Sequence, residues 1–162
     1  MNRFVNKTVV SKKDINEINL HVYFKTPLYI VLYVVCILFI TSSIIDYFVY
    51  NIINLSSAIP FLLAIAAMIF AFISNSRNMY NQSLDSNDNP IEYNYTAENK
   101  VLNLQTSNGK SATIEYRMIY KVFESKNCFA IRTRDNSFFI IRKDGFIEGD
   151  FDTFKQEVKD SL

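Results

Sequence analysis

The sequence predicts an α+β membrane protein, in which a two-helix transmembrane hairpin joins a small antiparallel β-sheet or partial barrel that a C-terminal helix closes. Two observations predict this class. The 162 residues divide into an apolar middle, where residues 28–73 carry the single formal charge of Asp46, and a polar remainder with all 17 Lys and Arg. In the polar remainder, turn residues separate short runs in which apolar and polar residues alternate. After these runs the sequence has the pattern of one amphipathic helix.

Two apolar runs are long enough to cross a bilayer. Residues 28–45 and 55–73 hold 18 and 19 uncharged residues. As helices they would span about 27–29 Å, close to the roughly 30 Å of a hydrocarbon core. Residues 46–54 between them are predicted as a short outer loop, so the two helices should be antiparallel neighbours. The alternative, two buried helices of a soluble protein, would need a large body of other helices to cover them.

Small residues recur in the second run. Ala64, Ala67 and Ala71 are spaced by three and four residues, which predicts a smooth stripe for helix–helix packing. The stripe should face the first helix, although a second copy of the chain would suit it equally well.

The basic residues predict the orientation. Residues 46–54 carry no Lys or Arg, and Arg77 follows the second run. Five basic residues precede the first run: Arg3, Lys7, Lys12, Lys13 and Lys25. Because cytoplasmic flanks are enriched in Lys and Arg, both termini are expected in the cytoplasm.

The segments on either side of the hairpin have their own predicted structure. Residues 4–10 read as a strand, and Ser11 with Asp14 three residues later predicts a capped helix start. Residues 1–27 are thus expected to form a cytoplasmic strand and helix, with a helix at the membrane interface as the alternative. Residues 74–89 are expected to form a helix extension and a linker.

Residues 90–162 are predicted to form the cytoplasmic domain. Alternating apolar residues predict three strands in residues 91–114, and residues 119–124, 129–133 and 138–142 predict three more. Asp150 should cap a last helix. Its apolar stripe consists of Phe151, Phe154, Val158 and Leu162.

Antiparallel strands followed by one amphipathic helix resemble the pleckstrin-homology superfold. A closer resemblance rests on IEY at 114–116, IYKVFESK at 119–126, FAI at 129–131 and IIRK at 140–143, with Phe146 and Phe154. In these strings the chain resembles the YcxB-like family. The resemblance implies two membrane helices ahead of a pleckstrin-homology-like domain in a multi-pass protein of the bacterial cell membrane. It supplies no catalytic residue.

The sequence offers no catalytic or metal site. His21 is the single histidine, and Cys36 and Cys128 are separated between the apolar run and the polar domain. The three glycines fall in predicted turns, so no phosphate-binding loop is expected. Beyond Leu84 there are 11 basic and 13 acidic residues, so the phosphate-neutralising excess that nucleic-acid binding needs is missing. We therefore predict no enzyme, no cofactor, no nucleic-acid partner and no identifiable small-molecule substrate.

Four basic residues form the candidate site. Arg132, Arg134, Arg142 and Lys143 fall on adjacent predicted strands, where they are candidates for contact with anionic lipid or a partner. The alternative is that they are solvent-facing strand residues balanced by nearby acids.

Three functions are compatible with the sequence. The first is a non-enzymatic, membrane-anchored binding or scaffold module, which presents the domain at the inner leaflet and captures a protein segment at a strand edge or groove. The second is a lipid-sensing, membrane-stress-sensing or protective protein that uses the basic strand residues. A small transporter or enzyme subunit is a remote third. The membrane is the expected partner, and a protein partner or a homo-oligomer stays open.

Overall fold

The computed structural model describes residues 2–25, 27–50 and 55–162, and in these residues it contains four α-helices and eight strands. In chain order they are β1 (Phe4–Val9), α1 (Lys12–Lys25), α2 (Pro27–Tyr50), α3 (Leu55–Gln82), β2 (Glu92–Glu98), β3 (Val101–Thr106), β4 (Ser111–Glu115), β5 (Ile119–Glu124), β6 (Cys128–Thr133), β7 (Phe138–Arg142), β8 (Phe146–Glu148) and α4 (Phe151–Lys159). The α+β class is confirmed.

The strands form two antiparallel sheets and not a closed barrel. The larger sheet has the order β4-β3-β2-β1-β8, and the smaller has the order β5-β6-β7. β1 lies inside the larger sheet because it pairs with β2 on one side and β8 on the other. Phe4, Asn6 and Thr8 on alternate positions of β1 are buried. The N-terminal strand is therefore an integral part of the sheet that the C-terminal half forms.

β8 is the strand that the sequence did not predict. It has three residues and pairs with β1 across an irregular register, so it is too short to show an alternating pattern. A short 3₁₀ turn at Lys143–Gly145 leads into it. A Cβ at Gly145 would overlap the carbonyl oxygen of Lys7, and this close approach requires glycine.

α4 covers the first hydrophobic core, which lies between the sheets. The ring of Phe154 contacts those of Phe4 and Phe129 with centroids 5.6 Å and 6.1 Å apart. The Asp150 cap is confirmed, since its Oδ1 accepts a 2.9 Å hydrogen bond from the Thr153 N–H. The predicted stripe stops at Val158, however. Leu162 is exposed because the helix ends at Lys159.

α1 covers the second core, against the smaller sheet. Ile15 and Ile18 of α1 pack with Cys128, Ala130 and Ile140 in one buried cluster. The predicted helix start is confirmed: the Ser11 N–H donates to Asp14 Oδ2 at 3.0 Å, and the Asp14 N–H donates to Ser11 Oγ at 3.2 Å. These reciprocal bonds form a capping box.

α2 and α3 contain the two apolar runs. Each has a segment long and apolar enough to cross a membrane, Tyr29–Val49 and Leu62–Gln82, and 6% of each segment is buried. α2 continues to Tyr50, so residues 46–50 are helical and their prediction as loop was wrong. They contain no Gly or Pro that would end the helix. The rest of that predicted loop, residues 51–54, lies outside the described residues.

Candidate binding site at the junction of helices and sheets

Two asparagines join α1 to the end of α3. Asn19, which is 1% exposed, donates through Nδ2 to Ser76 Oγ at 2.7 Å. Its Oδ1 accepts from Asn75 Nδ2 at 2.9 Å. One turn away, the rings of Tyr23 and Phe72 meet edge to face at 5.5 Å. The contact fixes α1 against α3 just beyond the apolar run, which ends at Ile73.

A second cluster of polar side chains joins the two sheets. Thr8 Oγ1 donates to Asn6 Oδ1 at 2.6 Å and accepts from the Arg142 N–H at 2.9 Å. Asn6 Nδ2 donates to the Arg142 carbonyl oxygen at 2.8 Å. β1 thus bonds through its side chains to the backbone at the end of β7, and all these polar groups are satisfied in the buried interface.

A cavity of about 400 Å³ lies where α1, the end of α3 and both sheets meet. Its volume is within the range of roughly 300–1,000 Å³ typical of small-molecule sites. Its polar lining is Asn19, Asn75, Gln82, Ser83, Arg132 and Asn136, and its apolar and aromatic lining is Val10, Ile15, Val22, Met79, Tyr93, Tyr95, Leu104, Phe138, Phe139 and Ile140. The site is therefore mainly apolar, with one cationic side chain.

The four candidate basic residues do not form one cluster. In the β6–β7 register Arg132 is opposite Phe138, whereas Arg142 is opposite Cys128. Arg132 and Arg142 therefore lie at opposite ends of this strand pair. Arg134 is exposed beyond the end of β6, and of the four only Arg132 lines the cavity.

Arg142 is engaged by two carboxylates. Its Nε and Nη2 donate to Asp144 at 2.9 Å and 2.7 Å, and its Nη1 lies 3.5 Å from Asp14 Oδ2. The hydrogen bonds to Asp144 raise the pKa of Arg142, and they lower the pKa of Asp144 in return. The positive charge of Arg142 is thus paired with carboxylates of the chain itself.

Lys143 is paired with Glu124 beside α4. The Nζ atoms of Lys143 and Lys155 donate to Glu124 Oε1 at 2.9 Å and 3.0 Å, and both lie over the Phe151 ring. Burial raises the pKa of Glu124, but the two lysines outweigh burial and leave its pKa lowered. This group connects β5 to α4, away from the cavity.

Cys128 is a packing residue. It is fully buried, and burial, helped by the nearby Asp14 carboxylate, raises the pKa of its thiol to about 12. The thiol is therefore protonated at neutral pH and unsuited to nucleophilic or metal chemistry. Over the described ranges, no three His, Cys, Asp or Glu side chains are grouped to hold a metal ion.

The alanine stripe divides between two faces of α3. Ala64 is half-buried on the face that also carries Met68 and Phe72, while Ala67 and Ala71 are exposed. Residues 64, 68 and 72 follow the i, i+4, i+8 row of a helix, and residues 67 and 71 belong to the neighbouring row. A packing role for the whole stripe stays a prediction.

Sequence reasoning missed the asparagines of the site. Asn19 occurs among Ile15, Ile18 and Val22 on one helical face, so a polar residue on a predicted apolar face was the available signal. Asn75 and Asn136 belong to polar stretches in which nothing distinguishes them from solvent-facing residues.

The molecule thus belongs to the α+β proteins that combine antiparallel sheets with two long apolar helices, and its cavity lies at their junction. Residues 98–158 match a family model described as YcxB-like protein. This segment runs from the end of β2 into α4 and contains all the strings that carry the resemblance, so the similarity to this family is confirmed over these residues. Neither the curated proteins nor the solved structures contain a significant match to the chain.

Proposed function

We propose that this chain is a membrane-anchored, non-enzymatic binding module. The exposure of α2 and α3 is the observation that carries the proposal. Phe48 and Phe70, for example, are 79% and 74% exposed. Two adjacent helices of this length and apolarity would present water with a far larger apolar surface than soluble proteins tolerate. A bilayer would cover that surface.

The contacts of α1 support the anchoring role. α1 packs on the smaller sheet through Ile15 and Ile18, and it bonds to α3 through Asn19. Helix and sheets therefore form one connected body, and insertion of α2 and α3 would hold the sheets close to the membrane surface. We also propose that the sheets and α4 form a pleckstrin-homology-like fold. The antiparallel strands followed by α4 support this proposal.

The lining of the cavity supports binding over catalysis. Its titratable side chains are Tyr93, Tyr95 and Arg132. Burial raises the pKa of both tyrosines, so neither would act as a base near neutral pH. No carboxylate, histidine or thiol lines the cavity among the described residues, and general acid–base chemistry would lack its usual groups.

The proposed location is the cell membrane, with both termini in the cytoplasm. The distribution of Lys and Arg around the two apolar runs supports this orientation. A protein partner or a second copy would be recruited to the same membrane surface, and crosslinking in cells followed by mass spectrometry would identify it.

Alkaline carbonate extraction of the whole chain tests the anchoring. We expect the protein to stay in the membrane pellet. The double substitution Leu38→Arg and Leu63→Arg places a charge within each apolar helix, at a cost of about 2.5–3.5 kcal/mol per residue for insertion at a helix centre. This variant should shift substantially to the supernatant.

Ile147→Arg is the matched control, because Ile147 is 70% exposed in β8, outside both apolar helices. It should stay in the pellet. Extraction of the unsubstituted chain into the supernatant would refute membrane anchoring.

A further inference from the structure

Arg132 has a charge that the fold leaves unpaired. Its guanidinium donates from Nε and Nη2 to the neutral Oδ1 of Asn136, the Nε bond being 2.9 Å. Among the described residues, no carboxylate lies within 4.0 Å of it. Arg142 and Lys143, by contrast, each have a carboxylate partner. Arg132 is thus oriented by a neutral group and can still bind an anion through its planar fork.

The wall next to this cation is apolar. Phe138, which is opposite Arg132 in the β6–β7 register, lines the cavity together with Tyr93, Met79 and Ile15. An inorganic anion would leave this wall uncovered, and a fully apolar ligand would leave the guanidinium without a counter-charge. A ligand with an anionic head and one apolar chain satisfies both surfaces.

The position of the cavity indicates where such a ligand would come from. The lining residues on α3 begin at Asn75, two residues beyond Ile73, or about 3 Å along the helix axis. If the apolar run of α3 that ends at Ile73 spans the bilayer as proposed, the cavity opens at the level where this run leaves the membrane. At about 400 Å³ it lies low in the usual range of ligand sites, which favours one acyl chain over two.

From these three observations we infer that the cavity binds a long-chain fatty acid, with its carboxylate on Arg132 and its chain between α1, the end of α3 and Phe138. The membrane source of the ligand rests on the proposed function. The match in charge, apolar lining and volume rests on the cavity alone.

Photo-crosslinking can test this inference on the whole chain. The protein is reconstituted in phosphatidylcholine vesicles, labelled with a diazirine-bearing palmitic acid, and digested for mass spectrometry. The readout is the ratio of crosslinks in cavity residues to crosslinks in the exposed apolar residues of α2 and α3. Because both peptides come from the same sample, the ratio corrects for how much probe enters the bilayer.

We expect Arg132→Gln to lower this ratio at least fivefold and Arg132→Lys to lower it less, since lysine keeps the charge. Arg134→Gln is the matched control. It removes the same charge two residues away, outside the cavity, and should leave the ratio within twofold. Met79→Trp should lower the ratio by filling the cavity. Unlabelled palmitic acid should compete, whereas its neutral monoacylglycerol and acetate should not.

Equal effects of Arg132→Gln and Arg134→Gln would overturn the inference, because they would indicate general surface charge. Equal competition by the monoacylglycerol, or an unchanged ratio in Met79→Trp, would also overturn it. Labelled cavity residues without labelled α2 and α3 would refute membrane anchoring while leaving the ligand site intact. Crosslinks in α2 and α3 without crosslinks in the cavity residues would refute the ligand site while leaving membrane anchoring intact.

Discussion

Buried polar side chains connect the parts of this molecule. Thr8 and Asn6 join the two sheets, and Asn19 joins α1 to α3. Each of these contacts brings together residues at least 56 positions apart in the sequence. Such bonds add modest net stability when made, but removing one member leaves its buried partners without hydrogen bonds.

Thr8→Val should therefore be costly. Valine matches the shape of threonine but cannot donate to Asn6 Oδ1 or accept from the Arg142 N–H, and Thr8 is fully buried. We expect the free energy of unfolding to fall by about 2–3 kcal/mol. Thermal unfolding in a mild neutral detergent, followed by circular dichroism, measures the change.

Thr113→Val is the control for that substitution. Thr113 Oγ1 also bonds to an asparagine, Asn103, but on an exposed sheet face, so its loss should cost less than about 0.5 kcal/mol. If both variants unfold at the same temperature, the bonds between the sheets do not stabilise the fold as described.

Glu124→Gln should have a pH-dependent effect. The folded pKa of Glu124 is below its ordinary value of 4.5, so ionised Glu124 contributes stability that is fully present above about pH 5. This contribution is lost as the pH falls through the folded pKa. The glutamine variant should unfold at a lower temperature than the unsubstituted chain at pH 7, and the difference should shrink below pH 4.5. A difference that is constant from pH 7 to pH 3 would contradict the assigned role of the two lysines.

Short sequence patterns predicted the contacts between residues that are close together in the chain. Ser11 with Asp14, and Asp150 with Thr153, cap helices across three residues, a spacing that is visible in the sequence. The separation of Arg132 from Arg142 depends on how β6 pairs with β7, and one short strand does not specify its register by itself. The cavity depends on four separate parts of the chain, so no single pattern could reveal it.

Among the elements, β1 is the strand that joins β8 to the rest of the larger sheet. It lies between β2 and β8, with β2 paired along all six of its residues. Apolar alternation predicted six strands after residue 90, but position within a sheet depends on pairing between distant segments. The three-residue β8 was missed because it is too short to show an alternating pattern. Residues 46–50 were predicted as loop although they contain no residue that would end α2.

A fragment of residues 84–162 should consequently fail to fold, because it lacks β1 and α1. Appending residues 2–25 after Leu162 through a short Gly/Ser linker should restore folding. Asn2 Nδ2 donates to Glu157 Oε1 at 2.9 Å, so the start of β1 lies close to the end of α4. Cooperative thermal unfolding should appear in the permuted fragment and be absent from 84–162. Cooperative unfolding of 84–162 alone would show that β1 is dispensable.

The whole molecule combines a sheet domain with two apolar helices that the domain leaves uncovered. α1 and the end of α3 connect these parts, and the cavity lies at their connection. The division between them was visible in the sequence because hydropathy is local. The cavity and the two-sheet arrangement emerged only when distant segments were brought together.

We propose that α2 and α3 cross the membrane and leave the domain on its cytoplasmic side. Labelling of single cysteines in intact cells tests it most directly. In a chain carrying Cys36→Ala and Cys128→Ala, one variant adds Asn51→Cys between the two helices and another adds Ser107→Cys in the β3–β4 turn. A membrane-impermeant maleimide should label position 51 in intact cells and position 107 only after permeabilisation. Labelling of position 107 in intact cells, or of position 51 only after permeabilisation, would contradict this orientation.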